Sequence, residues 1–160
     1  MNIPFHFIRD FFIKIILCKY GKGSTLLMNV EIRKGQNISI GVNSIVNARV
    51  LLDGRGGKLI IGNNVDIAQD TTIWTLSHDP HSDMHQDIGK DVIIENYVWI
   101  GANVTILPGI TIKKGAVVGT GSIVTKDVLE NEIVAGNPAK KIGMRKSKLK
   151  YTLNYKPWFR

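Results

Sequence analysis

The sequence predicts an all-β chain of 160 residues, a parallel β-helix of hexapeptide repeats with short helical segments at both ends. Two observations carry this. Between Ile94 and Val124 an aliphatic residue recurs at every sixth position: Ile94, Ile100, Ile106, Ile112, Val118 and Val124. A second file runs two residues ahead through Val92, Val98, Val104, Ile110, Ala116 and Ser122. A six-residue period fits neither an α-helix nor a simple half-buried strand. It fits a chain that turns a corner every six residues and stacks its flat sides over one aliphatic column. The same phase returns upstream in Ile40, Val46 and Leu52, and in Ile61, Ile67 and Ile73, with Leu59 and Val65 leading.

The elements follow in chain order. Residues 1–22 form an N-terminal segment whose apolar run, 3–17, is broken by Arg9, Asp10 and Lys14. That run is too interrupted to span a bilayer, and no small-residue cleavage site follows it. It reads as an amphipathic helix with Phe5, Ile8, Phe12 and Ile15 or Ile16 on one side. Such a helix packs on the β-helix or a neighbouring subunit, with peripheral contact to a membrane surface as the alternative. Residues 23–136 form the β-helix. Its first break, Asp53-Gly54-Arg55-Gly56-Gly57-Lys58, reads as a turn with a small bulge. Its second, the loop 75–91, carries three of the four histidines: His78, His81 and His85. Gly41, Gly62, Gly101 and Gly119, with Asn43, Asn63, Asn64, Asn96 and Asn103, read as corner residues suited to positive φ. Residues 137–160 form a basic tail holding Lys140, Lys141, Arg145, Lys146, Lys148, Lys150, Lys156 and Arg160, much of the net charge of +8.

Composition bounds the function. A hydrophobic content of 44% is ample for one core. The single cysteine, Cys18, rules out an intrachain disulfide framework and points to a reducing, cytoplasmic setting. No helix-turn-helix, zinc-finger or RNA-recognition pattern is present, so nucleic acid is not the expected partner. The tail then reads as a solvated helix, or as a site for a polyphosphorylated cofactor or anionic lipid.

The stretches "VWIGANVTILPGITI", "GTGSIVTKDV" and "VAGNPAKKI" resemble the hexapeptide-repeat acyltransferases, in particular the galactoside and maltose O-acetyltransferase branch, over roughly residues 38–142. The resemblance implies a left-handed β-helix, a homotrimer, acetyl-CoA as donor, and active sites in clefts between subunits. It places the catalytic base at His78, in the context Thr75-Leu76-Ser77-His78-Asp79-Pro80. Neutral imidazole suits removal of a hydroxyl proton during attack on a thioester. Asp79 or a backbone carbonyl would hold its tautomer. Asn47 and Asp53 are implied acceptor contacts, with a corner asparagine as the plainer role for Asn47. The CoA wall maps onto Ala68, Trp99, Ala102, Thr120, Thr125, Lys126 and Lys140, with Trp99 equally suited to packing. Lys126 and Lys140 would meet the nucleotide phosphates, Lys140 standing where relatives often carry arginine. His78, His81 and His85 with Asp79, Asp83 and Asp87 match no metal-site spacing, so no metal is expected. The implied acceptor is a saccharide, such as a surface-polysaccharide precursor. The alternatives are an amino sugar, serine or antibiotic acceptor, and a non-enzymatic zinc-binding β-helix protein. Set beside the galactoside and maltose enzymes, the chain is expected to lack their longer N-terminal helical region.

Overall fold

The computed structural model describes residues 5–157 and forms a left-handed parallel β-helix of three faces. Face A stacks Lys19–Tyr20, Ile38–Ile40, Leu59–Ile61, Val92–Ile94 and Thr111–Ile112. Face B stacks Thr25–Leu26, Ile45–Val46, Asp66–Ile67, Trp99–Ile100, Val117–Val118 and Glu132–Ala135. Face C stacks Glu31–Arg33, Leu51–Asp53, Thr72–Ile73, Thr105–Ile106 and Ile123–Val124. Both repeating files point inward. Ile94, Ile100, Ile106 and Ile112 are wholly enclosed, and so are Val92, Val98, Val104, Ala116 and Ser122. Each coil thus buries a pair of side chains per face, and every strand inside a stack has neighbours above and below to satisfy its backbone.

The corners divide the labour differently from the expectation of positive φ at all of them. Asn43, Asn64 and Asn103 do adopt it, at φ 55°, 53° and 55°. Gly41, Gly62, Gly101 and Gly119 do not; they are glycine because the next coil lies against them. A Cβ at Gly101 would stand 2.7 Å from the Thr120 backbone nitrogen, and one at Gly62 would stand 2.8 Å from that of Asn96. Asn63 and Asn96 are rungs of a ladder: their Oδ1 atoms accept from the backbone N–H of Val42 and Asn63, at 2.8 and 2.7 Å.

The N-terminal helix α1 spans His6–Ile16, and of the side expected to be apolar Ile16 packs on the core while the rest turns away from it. Arg9, Ile13 and Leu17 are buried, whereas Phe5, Phe12 and Ile15 are exposed. Seven of the eleven helical residues are apolar, yet only Ile13 among them is fully buried, so periodicity does not choose the buried face. The choice falls to specific contacts. The Tyr20 hydroxyl donates to Asp10 at 3.3 Å and to the Ser24 carbonyl at 2.7 Å, and the side chain of Ile16 closes over Gly35. Burial lowers the Arg9 guanidinium pKa, and neighbouring Asp10 opposes that shift.

The expected C-terminal helix is absent from the described residues. Lys140–Met144 instead returns antiparallel to Glu132–Ala135, closing the end of face B. The chain then runs back along the coils as an extended strap. Arg145 donates to the carbonyls of Tyr97 and Gly115 at 2.8 and 3.2 Å, and the backbone N–H of Leu153 donates to Asn64 Oδ1 at 3.1 Å. Tyr97 and Tyr151 meet edge to face at 5.4 Å. Of these donors the Leu153 N–H is a backbone group that a helix would have used within itself.

Candidate active site

The loop 75–91 is a hairpin rather than irregular chain. Leu76–His78 pairs antiparallel with Asp87–Gly89, and His78 lies directly opposite Asp87. Its base is clamped by the glycine-rich bulge. The buried Thr75 hydroxyl donates to the Asp53 carbonyl at 2.9 Å and accepts from the Gly56 N–H at 3.1 Å. The Lys58 N–H donates to Asp91 at 2.6 Å. Gly56 lies so close to the backbone of Thr75 and Gly89 that no side chain would fit. The bulge therefore serves as a buttress for the hairpin that carries His78.

The pairing fixes the imidazole. His78 Nδ1 lies 3.0 Å from the Asp87 carboxylate and 3.3 Å from the His85 carbonyl oxygen. The His85 ring stacks on His78 with centroids 3.9 Å apart, from a backbone at φ 52°. Two acceptors at Nδ1 keep the proton there and leave Nε2 as the basic nitrogen. The side chain is half exposed, so a reactant can reach it. Asp79 does not take the orienting role; it accepts from the His81 N–H at 2.9 Å within its own turn. Neither His85 nor Asp87 stood out in the sequence as a partner, because only the hairpin register brings them to His78. Among the described residues no group of three or more His, Cys, Asp or Glu side chains is arranged to hold a metal ion.

The other singled-out residues separate onto two edges of the prism. Asn47, Ala68, Ala102 and Thr120 leave face B in successive coils and line the corner toward face C. Trp99 stands half exposed on face B itself, between Asp66 and Val117. Thr125 and Lys126 lie at the opposite corner, between faces C and A, the same edge from which the His78 hairpin departs. Lys140 lies at the C-terminal end and is exposed. Asp53 departs from expectation as an acceptor contact. Its side chain is fully enclosed, with Oδ1 bound by Arg55 at 2.8 Å, so it faces no open surface.

At the B–C edge the strap completes a hollow. Tyr155 closes a cavity of about 260 Å³ whose walls include Asn29, Asn47, Arg49 and Gln69. Asn47 Nδ2 donates to the Ile67 carbonyl at 2.9 Å and to Asp66 at 3.3 Å. Arg49 is held by a two-point pair with Asp70, at 2.6 and 2.8 Å. Burial raises the Asp66 pKa, and the Asn47 amide works against that rise. A wall of amides beside one tyrosine ring has the donors, acceptors and flat apolar surface that polyhydroxylated ligands require. Tyr155 belongs to the aromatic tail, to which the sequence attached no role; Trp158 and Phe159 of that tail lie outside the described residues.

The comparisons with known proteins agree with this architecture. The family model for the bacterial transferase hexapeptide (six repeats) matches residues 91–126. The galactoside O-acetyltransferase of Escherichia coli is 35% identical over 138 residues, covering 84% of this chain and 67% of its own. A Saccharomyces cerevisiae relative is 40% identical over 126 residues, covering 76% of this chain and 63% of its own. The chain thus spans about two thirds of the length of these curated relatives. A hexapeptide-repeat acetyltransferase of Vibrio cholerae, solved in complex with acetyl coenzyme A, superposes with a TM-score of 0.82 at 31% identity, covering 88% of this chain and 78% of its own. With the repeat, the three-faced coil and these similarities together, the chain belongs to the hexapeptide-repeat acetyltransferases.

Proposed function

We propose that the protein transfers an acetyl group from acetyl-CoA to a saccharide hydroxyl, with His78 as general base, in clefts between the subunits of a homotrimer. The observation that carries this reading is the imidazole of His78, presented at an edge of the β-helix with Nδ1 committed to Asp87 and His85. His78 Nε2 accepts the hydroxyl proton as the acceptor oxygen attacks the thioester carbonyl. The tetrahedral intermediate then collapses, the carbon–sulfur bond breaks, and the imidazolium returns the proton to the departing CoA thiolate. No acetyl-enzyme forms. General-base catalysis of this kind contributes about 10²–10⁴-fold.

The split between edges supports the trimer. In one chain Ala68, Ala102 and Thr120 stand across face C from the His78 hairpin, Thr125 and Lys126. A threefold arrangement brings the C–A edge of one subunit toward the B–C edge of the next and turns two shallow walls into a cleft. Small side chains on those walls let the pantetheine arm reach backbone groups, with Lys126 and Lys140 left for the phosphates. Asn47, with Tyr155 beside it, forms the acceptor wall, and Trp99 flanks the cleft.

Thiol release from acetyl-CoA, measured against a panel of glycosides, amino sugars, serine and chloramphenicol, tests the reading. Release with glycosides and its loss in His78→Ala support it. Turnover only on an amine would reassign the acceptor, and full activity in a monomer by light scattering would overturn the shared cleft.

A further inference from the structure

We infer that the outward aromatic face of α1 docks the protein on an anionic lipid surface. The helix is turned inside out by the standards of a soluble protein: Arg9 is fully buried, while Phe7, Phe11 and Ile15 are 74%, 61% and 67% exposed. Phe5 and Phe12 extend the face, and the Phe11 and Phe12 rings meet edge to face at 5.6 Å. Single exposed apolar residues are ordinary, but a contiguous aromatic patch on one element marks a binding surface.

Charge decides what binds there. Lys14 lies on the exposed side of the same helix, Lys19 and Lys22 follow it, and Lys34 precedes Gly35, on which Ile16 rests. All four are exposed, and none is ion-paired among the described residues. The nearby acids are engaged elsewhere: Asp10 with Tyr20, Glu31 with Arg33. Phenylalanines seated at the headgroup–acyl boundary, with lysines around them, match an anionic leaflet. A second copy related by a twofold through this face would bring the same lysines together, which like charges oppose. Among the described residues no helix is long and apolar enough to cross a membrane, so the contact proposed is with the membrane surface. The inference does not depend on the reaction proposed above.

Co-sedimentation of the full chain with vesicles of phosphatidylcholine alone, or mixed with phosphatidylglycerol, tests it. The wild type should pellet with the mixed vesicles and be released by salt. Phe7→Ser/Phe11→Ser should weaken partitioning by about tenfold or more, and Lys14→Glu/Lys19→Glu by several-fold. Because all four side chains point outward, unfolding midpoint and oligomeric state should be unchanged. Three results would overturn the inference: wild type remaining in the supernatant, undiminished binding by the phenylalanine variant, or dissociation of the oligomer by that variant. The last would assign the face to a subunit contact.

Discussion

Replacing Asp87 with asparagine isolates what the carboxylate adds to His78. The pair is 3.0 Å apart, but the two side chains are 49% and 63% exposed. Water therefore screens the attraction, and exposed pairs of this kind contribute about 0.2–1 kcal/mol. The His85 carbonyl at 3.3 Å still accepts from Nδ1 in the variant, so the ring keeps its tautomer. A buried aspartate acting alone on a catalytic histidine is worth far more, about 10⁴-fold in the serine proteases. Here the loss in kcat should be about two- to fivefold, since about 1.4 kcal/mol corresponds to tenfold. The KM for acetyl-CoA should not move. His78→Ala, by contrast, should lower kcat by about 10²–10⁴-fold. Steady-state thiol-release kinetics on wild type, Asp87→Asn and His78→Ala measure all three. If Asp87→Asn proved as costly as His78→Ala, the carboxylate would be doing more than orienting a ring already held by a carbonyl. If His78→Ala kept wild-type turnover, the base would lie elsewhere.

Tyr155→Ala should raise the KM for a glycoside acceptor several-fold while leaving that for acetyl-CoA unchanged, since one ring closes the amide-lined cavity. Lys126→Ala and Lys140→Ala should each weaken CoA binding at low salt and have no effect on acetyl-pantetheine, as titration calorimetry can check; equal affinity across all variants would remove both lysines from the phosphate site. Asp66→Asn should stabilise the fold at neutral pH. Burial raises the Asp66 pKa, so the native state favours the protonated form and loses stability as pH rises through that pKa. The advantage of the amide should fade below about pH 4, the ordinary carboxylate range, in denaturant titrations at both pH values.

What the sequence determined by itself was the coil. Its evidence is local and repeated: each six-residue unit states which side chain turns inward, and every copy repeats the statement. The same logic located the hairpin, because an interruption of a strict period is visible without knowing what fills it. It also made His78 the candidate base, through the resemblance that its flanking residues carry. Partnership across coils was another matter. Asn63 Oδ1 accepts from Val42, 21 residues earlier, whereas the Asn63 N–H donates to Asn96, 33 residues on, because the hairpin is inserted between those coils. No fixed spacing predicts such contacts, and glycines chosen for close stacking look the same in sequence as glycines chosen for φ. Three features were decided only in the folded chain. The hairpin register set Asp87 opposite His78. The rotation of α1 followed from Tyr20 and Gly35, which accompany Arg9 and Ile13 turning inward although most apolar residues of the helix lie on another side. The strap followed from Tyr97, Gly115 and Asn64, whose free carbonyl and amide groups captured a tail that composition alone had suggested was helical.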